Sequence, residues 1–350
     1  MTQNDWPKDG LETLGCCPVC GETSRDLLYD NLTDRLFGAP GRWTMYRCRG
    51  CQSGYLDPRP NEKTISLAYE NYITHEPEKL TNINNANMIK RIRVIMRNSY
   101  LNHKYGYCFE PSALWGYIAM YMLPPPLRYE WDHYARHLPA PLADRNKLLD
   151  VGCGNGSFLI RARQLGWQAQ GLEFDMQAAS LASSQGIDVW VGDYRNDPFG
   201  KNSFDVITCH QVIEHVHDVH AFIAQLASWL KPDGRLWLGT PNINSMSRKF
   251  FGIHWIGLHP PQHLTILSPK ALLRLMSDYG LTGSLLSRGY YETHIVSESD
   301  TLRHGYVGQK NIAIHKNLMR HPLRNFLFEL WSWMYPRQSS DLVVIANKTK

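Results

Sequence analysis

The stretch that decides the fold is Leu148-Leu149-Asp150-Val151-Gly152-Cys153-Gly154-Asn155-Gly156, where a short apolar run leads directly into three alternating glycines. The run predicts a buried strand, and residues 157–165 predict a helix directly after the glycines. This order is typical of nucleotide-binding folds, because glycine permits a tight turn and lets a ligand approach the backbone. The spacing is GxGxG, not the GxGxxG of dinucleotide folds. Alone, it leaves open a glycine turn in some other α/β protein.

Acidic residues further along the chain narrow the type of ligand. Glu173 stands at the end of the second predicted strand, where a carboxylate can accept hydrogen bonds from both hydroxyls of a ribose. Asp193 follows the third predicted strand and is placed to meet an adenine amino group, with Tyr194 beside it to cover the ring. Together with Asp150 and the glycines, these positions predict a site for an adenosine-bearing cofactor.

Apolar runs alternate with helical stretches over residues 146–350, which predicts a doubly wound α/β sheet of seven strands. Asp175 is expected to cap the second helix of this domain. Residues 61–145 are predicted as a helical linker or lid without a chemical motif. The predicted strands are 148–151, 169–173, 187–191, 204–209, 235–239, 281–290 and 342–346, and the predicted helices are 157–165, 176–185, 218–230 (ended by the turn 231–234) and 269–279.

Residues 147–241 resemble the class I methyltransferases, which use S-adenosylmethionine. Residues 148–154 are similar to their first motif, Gly171-Leu172-Glu173 to their acidic loop and residues 204–209 to their fourth strand. The resemblance implies a Rossmann-like sheet and is specific for the cofactor, but it does not identify the methyl acceptor. The residues expected to bind the cofactor are Asp150, Gly152, Gly154, Gly156, Glu173, Asp193, Tyr194 and His210, the last lining the methionine part.

The segment 209–216, after the fourth predicted strand, resembles the ubiquinone-type O-methyltransferases. These enzymes carry E-x-x-E-H here and are thought to hold a divalent metal with it. In this chain Gln211 replaces their first glutamate, and a neutral amide is a weaker ligand for a hard cation. We therefore expect no metal at Glu214 and His215. The alternative to a catalytic role for this pair is a structural one, packing the loop under the cofactor.

The segment 251–264 follows the fifth predicted strand and contains three histidines. It resembles the G-x-x-W…P-P-x-H-L segment of methyltransferases in glycan and cell-surface pathways. A hydroxyl acceptor must lose its proton, and a neutral histidine with a pKa near ~6.5 is a natural base. His263 is the first candidate for this catalytic base and His215 the second. The alternative for His263 is a structural hydrogen bond that fixes the loop.

Two CxxC pairs lie near the N-terminus, Cys17-Pro18-Val19-Cys20 and Cys48-Arg49-Gly50-Cys51. Two such knuckles complete a tetrahedral thiolate site for Zn²⁺. All four positions are cysteine, so the site is structural and has no open position for catalysis. We predict a zinc ribbon over residues 1–60, with a hairpin over 25–46 between the pairs. The alternative is four unrelated buried cysteines.

Charge is unevenly placed, although the formal net charge is only +5 and excludes a general polycation. Residues 88–97 predict a basic amphipathic helix, and residues 303–328 form a second acid-free run. We expect residues from about 290 to 338 to be an insertion that covers the acceptor site. Two interpretations remain for the basic stretches: a lid with a solvated face, or a surface for anionic lipid headgroups or a phosphate-linked acceptor.

The sequence thus predicts an S-adenosylmethionine-dependent methyltransferase that acts on an oxygen of a sugar or of a lipid- or nucleotide-linked glycan intermediate. An RNA methyltransferase that docks RNA through the ribbon and basic helix is the second hypothesis, and a non-catalytic cofactor-binding module is the third. The polar N-terminus and the absence of an apolar run of ~18 residues predict a cytoplasmic protein. Peripheral contact with the anionic inner face of the membrane fits the basic helix.

Overall fold

The structure, a computed structural model, describes residues 5–70, 88–123, 126–286, 291–305 and 321–349. Contacts within the chain group the described residues into two units. Residues 5–70, 210–227 and 238–349 form the first unit, and residues 88–209 and 228–237 form the second. The domain boundaries expected from the sequence stay predictions.

A seven-stranded sheet confirms the predicted α/β architecture. Its strand order is β12-β13-β10-β9-β6-β7-β8, in which β6 pairs in parallel with β7 and β9, β7 pairs in parallel with β8, and β12 pairs antiparallel with β13. The parallel pairing of β6, β7, β8 and β9 places the carboxyl ends of these strands along one side of the sheet, where such sheets bind ligands. The strands are β6 (Lys147–Val151), β7 (Gln168–Glu173), β8 (Asp188–Val191), β9 (Phe204–His210), β10 (Leu230–Pro241), β12 (Leu281–Leu285) and β13 (Asp341–Lys348).

A four-stranded antiparallel sheet lies in the first unit. The strands β2 (Arg25–Leu32) and β3 (Trp43–Cys48) form a hairpin, which confirms the hairpin predicted between the cysteine pairs. β4 (Gly54–Leu56) pairs with β3, and β11 (Thr265–Ile266) pairs with β4, so a segment from far along the chain completes this sheet. Two short strands, β1 (Leu11–Glu12) and β5 (Arg59–Pro60), pair separately.

Some of the helices begin at a side chain that caps them. The Asp175 carboxylate accepts hydrogen bonds from the backbone N–H groups of Gln177 and Ala178, which confirms the predicted cap. The Ser268 hydroxyl caps another helix, whose first residue is a proline. The helices are α1 (Met88–Tyr105), α2 (Leu114–Met122), α3 (Pro126–Tyr134), α4 (Ser157–Gln164), α5 (Met176–Ser184), α6 (Val219–Trp229), α7 (Met246–Phe251), α8 (Pro269–Asp278), α9 (Tyr291–Arg303) and α10 (Pro322–Met334).

Several element boundaries differ from the prediction. Residues 231–234 do end the predicted helix, whose last residue is Trp229, but β10 begins earlier than predicted, at Leu230, with Asp233 in the left-handed region. The sixth predicted strand ends at Leu285, and residues 287–290 lie outside the described residues, as do residues 306–320 of the predicted insertion. The described part of that insertion is helical, in α9 and α10.

Each unit has its own apolar core. In the first unit the core is built around Trp43, Met45, Trp255 and Ile266, which join the ribbon strands to the segment after β10. In the second unit α1 and α4 pack around Leu101, Leu148, Leu159 and their neighbours. None of the described helices is both long and apolar enough to span a membrane.

Candidate functional site

The glycine loop joins β6 to α4 in the second unit. Gly152, Gly154 and Gly156 have φ angles of 70°, 53° and 78°, in the left-handed region that glycine adopts without strain. A Cβ added at Gly154 would meet no heavy atom within 4 Å, so open space adjoins the backbone at this position. A Cβ at Gly156 would lie 2.9 Å from Cβ of Ala182, because α5 packs closely there. The loop therefore fits a ligand that rests on its backbone.

Glu173, the last residue of β7, fixes this loop. Its Oε2 accepts a hydrogen bond from the Gly154 N–H at 2.8 Å, and its Oε1 accepts from the N–H groups of Phe174 and Asp175. Burial raises the pKa of this carboxyl, and the backbone donors act against that shift. A carboxylate oxygen accepts two hydrogen bonds, so Oε2 keeps one acceptor position for a ribose hydroxyl.

Asp150 provides a second observation that fits a ligand at the loop. Its Oδ1 accepts hydrogen bonds from the guanidinium of Arg136 and, at 2.8 Å, from the Thr208 hydroxyl. Its Oδ2 is buried and has no partner among the described residues. Burial raises the pKa of Asp150, although the Arg136 charge opposes this. An unsatisfied buried acceptor is costly, so the site fits a ligand that donates a hydrogen bond here.

Arg136 is a site residue that the sequence analysis missed. It follows α3 with a φ of 46°, and its guanidinium lies 4.0 Å from the centroid of the Phe158 ring and 5.5 Å from that of Trp237. The pairing with Asp150 depends on the fold of the second unit, and no local motif marks it. Its only signal is an arginine in a segment otherwise without chemical character.

The other predicted cofactor residues lie at the ends of β8 and β9. Asp193 caps the short helical turn Tyr194–Asn196, and its carboxylate accepts hydrogen bonds from the backbone and guanidinium of Arg195. Burial acts to raise the pKa of Asp193, but these hydrogen bonds lower it on balance. The carboxylate that was predicted to meet adenine thus already accepts hydrogen bonds from Arg195. Tyr194 and His210 are half-buried, and their roles stay predictions.

Glu214 lies in the first unit, in the short turn Ile213–His215 after β9. Its side chain is fully buried, and its Oε2 accepts a hydrogen bond from the Thr240 hydroxyl at 3.0 Å. Its Oε1 has no partner among the described residues. Burial, partly offset by these hydrogen bonds, raises the pKa of Glu214 to about 8. At neutral pH the carboxyl therefore carries a proton in most molecules.

His215 and His263 lie together beside Glu214, with ring centroids 4.8 Å apart. Nδ1 of His263 lies 2.9 Å from the Gly257 carbonyl oxygen, and Nδ1 of His215 lies 3.0 Å from that of Gln262. A carbonyl oxygen only accepts hydrogen bonds, so the contact with Gly257 assigns the proton of the His263 ring to Nδ1 and its lone pair to Nε2. Nδ1 of His215 also lies 2.9 Å from the Tyr69 hydroxyl, which can either donate or accept a hydrogen bond. Burial lowers the pKa of His263 to about 4 and that of His215 well below its usual range. Both imidazoles are neutral at pH 7.

These three side chains have a donor set that suits a metal ion. One ligand atom from each of Glu214, His215 and His263 lies within 4.8 Å of the others. The backbone carbonyls on Nδ1 orient the two rings as they do in many metal sites. The sequence paired Glu214 with His215 but did not predict that His263 joins them. The expectation that no metal binds here stays a prediction.

The four cysteines of the two CxxC pairs also come together. Sγ of Cys17 lies 3.6 Å from Sγ of Cys51, and Sγ of Cys20 lies 3.4 Å from Sγ of Cys48. All four sulfurs lie within 4.8 Å of one another. Zinc–sulfur bonds of about 2.3 Å in a tetrahedron place the sulfurs about 3.8 Å apart, so the cluster has the size of a zinc site.

Comparison with known proteins assigns the chain to a family. Residues 126–284 match the family described as "Methyltransferase domain". A protein of Thiobacillus denitrificans named "Ubiquinone biosynthesis O-methyltransferase" is 31% identical over 173 residues, which cover 45% of this chain and 71% of the relative. A protein of the same name from Idiomarina loihiensis is 30% identical over 178 residues, covering 44% and 70%. A solved S-adenosylmethionine-dependent methyltransferase from Mesorhizobium loti has 16% identity and a TM-score of 0.43, over 63% of this chain and 98% of its own.

The raised pKa of Glu214 predicts a dependence of stability on pH. A carboxyl whose pKa is higher in the folded state stabilises the fold fully below its unfolded pKa, and this stabilisation is lost as the pH rises through the folded pKa. Between pH 5 and 8, the free energy of unfolding should therefore fall relative to that of Glu214→Gln, by up to about 1.4 kcal/mol per pH unit. Urea unfolding of both proteins across this range measures the difference.

Glu22→Gln is the matched control, because Glu22 is exposed and its pKa is lowered by backbone hydrogen bonds, first that of Ser24. It should follow the natural protein at every pH above 5.5. Parallel curves for the natural protein and Glu214→Gln would show that Glu214 is ionised in the folded state.

Proposed function

Because this chain belongs to the S-adenosylmethionine-dependent methyltransferases, we propose that it methylates a hydroxyl oxygen of a sugar or of a lipid- or nucleotide-linked glycan intermediate, with His263 as the base. The observation that carries the proposal is the neutral imidazole of His263, whose Nδ1 is held by the Gly257 carbonyl. Relatives at 30–31% identity are named O-methyltransferases, which supports oxygen as the acceptor atom.

The cofactor residues divide into groups with different tasks. The glycines of the loop give the ligand room at the backbone, and Glu173 accepts hydrogen bonds from the ribose. The unsatisfied Oδ2 of Asp150 accepts a donor of the ligand, while Asp193 and Tyr194 hold the adenine and His210 lines the methionine part. When bound, the cofactor supplies an activated methyl group on its sulfonium, so the protein has only to orient the acceptor and take its proton.

His263 suits the proton transfer for three reasons. Its Nε2 carries a lone pair, its ring is fixed by a hydrogen bond at Nδ1, and its neutral form predominates at pH 7. His215 is also neutral at pH 7 and lies beside it, which makes it the second candidate. The His263 ring lies just before β11, and the Leu264 N–H donates a hydrogen bond to the Glu214 carbonyl at 2.8 Å, which joins the two segments that carry the histidines.

We also propose that the four cysteines hold a structural zinc ion. The sulfur separations match a tetrahedral thiolate site, and the four cysteines would fill all four coordination positions of the zinc ion. The Cys51 N–H lies 3.4 Å from Sγ of Cys48, as expected where a knuckle turns around a metal-bound thiolate. In the Cys₄ arrangement the zinc stabilises the ribbon and takes no part in methyl transfer.

The cofactor assignment is tested by Glu173→Gln. Loss of the ionised acceptor should weaken S-adenosylhomocysteine binding about tenfold, because a hydrogen bond to a charged group is worth more than one to a neutral amide. Isothermal titration calorimetry measures the affinity. Asp188→Asn changes a carboxylate on the adjacent strand β8 and serves as the control. Equal affinities for all three proteins would mean that Glu173 does not touch the ribose.

The acceptor and the base are tested together. Purified protein is assayed for S-adenosylhomocysteine formation with pools of sugar nucleotides, lipid-linked glycans and RNA. We expect turnover on a glycan pool, and a loss of about 100-fold or more in His263→Gln with cofactor binding unchanged. His304→Gln, a change at an exposed histidine, is the control. Turnover on RNA alone would refute the glycan acceptor, and full activity of His263→Gln would remove it as the base.

The zinc proposal predicts about one zinc ion per chain. Cys20→Ser should lose the metal and unfold at a lower temperature. Cys108→Ser, at an exposed cysteine outside the cluster, should retain the zinc and the unfolding temperature of the natural protein. His263→Gln should also retain its zinc. Mass spectrometry measures the zinc content of each protein, and calorimetry measures its unfolding temperature. A Cys20→Ser protein with undiminished zinc would place the metal elsewhere.

A further inference from the structure

A cavity of about 340 Å³ in the first unit is unused by the proposed chemistry. On one side lie the end of β2 and the loop that follows it, and on the other lies the segment 253–260. Its walls combine apolar side chains, among them Leu36, Trp255 and Leu258, with positively charged groups. The charged groups are the guanidiniums of Arg35 and Arg42. His254 also lines the cavity, and Asp30 is the one carboxylate among its lining residues. A concave site with apolar walls and a few convergent polar groups is typical of a small-molecule site.

Among the described residues, the arginines of the cavity have no anionic partner. The guanidinium of Arg35 donates a hydrogen bond to Nδ1 of His254, which must therefore be neutral. That of Arg42 donates to the Asn31 side chain at 2.7 Å. Among the described residues no carboxylate forms an ion pair with either arginine, and Oδ1 of Asp30 accepts hydrogen bonds from the Thr44 hydroxyl and the Asn31 N–H. Burial and the charges of Arg35 and Arg303 lower the pKa of His254. The cavity thus carries excess positive charge.

Arg35 stands on a rigid turn. The buried carboxylate of Asp34 accepts hydrogen bonds from the N–H groups of Leu36, Phe37 and Ala39, and from the side-chain amide of Gln262 at 3.1 Å. Such a turn holds the neighbouring guanidinium in place before any ligand arrives. Arginine presents several N–H donors in a planar fork, which suits a tetrahedral or planar oxyanion. A preorganised arginine beside a cavity is characteristic of an anion-binding site.

The cavity adjoins the candidate base. His259 lines it, and the His259 ring lies between those of Phe37 and His263, at centroid distances of 5.2 Å and 5.0 Å. Its φ of 33° is unusual for a residue with a large side chain and is the kind of backbone strain that occurs at functional sites. Only one ring therefore separates the charged cavity from His263.

We propose that this cavity binds a phosphate group of the methyl acceptor, with Arg35 and Arg42 holding the phosphoryl oxygens and the rest of the acceptor directed towards His263. The proposal rests on the proposed function, since it names the class of its substrate as a phosphorylated sugar or the phosphate-linked sugar of a nucleotide. The two cations match a phosphoryl group, and the apolar walls accommodate a sugar face or a short chain. A neutral acceptor would leave both guanidinium charges without an anionic partner among the described residues.

Binding without turnover tests the proposal. The full chain, with its zinc, is titrated by calorimetry with a hexose 1-phosphate, a nucleoside diphosphate hexose, the free hexose and acetate. We expect binding of at least one phosphorylated probe and a loss of about tenfold or more in Arg35→Gln, with a similar change in Arg42→Gln. Arg274→Gln, at an exposed arginine on α8, should bind as the natural protein does. The better of the two phosphorylated probes identifies the source of the phosphate.

Two results would overturn the proposal: equal binding of the free hexose and its phosphate, or unchanged affinity in both arginine variants. S-adenosylhomocysteine binding is measured in the same samples. If it persists while the phosphorylated probes fail to bind, the phosphate site is refuted and methyl transfer is untouched. Failure of the cofactor to bind would instead contradict the proposed function.

Discussion

Pairing of the short strand β11 with β4 is the constraint on which the first unit depends. Thr265 and Ile266 pair with Tyr55 and Gly54, and the Leu56 N–H donates to the Leu264 carbonyl at 3.1 Å. The segment that carries His263 is thereby a continuation of the cysteine ribbon's own sheet. The Ser268 hydroxyl adds a hydrogen bond to the Cys51 carbonyl at 2.6 Å, at the second CxxC pair. A structural metal would therefore stiffen the sheet from which the histidine segment extends, far from it in sequence.

Burial then decides the protonation of the groups in this segment. Glu214, His215 and His263 are removed from water without a counter-charge among the described residues, so each favours its neutral form. Asp150 in the second unit is equally buried, and burial raises its pKa as well, although the charge of Arg136 at its Oδ1 opposes that shift. The two sites therefore differ in their partners: Asp150 has a cation beside it, whereas the cluster of Glu214, His215 and His263 has none among the described residues.

Features that depend on neighbouring residues could be predicted from the sequence. The strand and glycine loop around Gly154, the cap at Asp175 and the clustered cysteine pairs depend on neighbouring residues, and all were predicted. Features that depend on long-range contacts were not: nothing near Arg136 reveals its pairing with Asp150, and nothing near Gln262 reveals its bond to Asp34. The strand β11 has only two residues, too short for any periodicity.

The low pKa of His263 has a consequence for how an acceptor would be activated. A base with a pKa of about 4 is neutral at pH 7 but holds an abstracted proton weakly, since its imidazolium is desolvated beside His215. A phosphate in the adjoining cavity would add negative charge near these rings, and an opposite charge stabilises the imidazolium. The acceptor's own charge would thus raise the basicity of His263 only while the acceptor is bound. An empty site would keep a neutral histidine, and binding of the acceptor would supply the electrostatic condition for removing its proton.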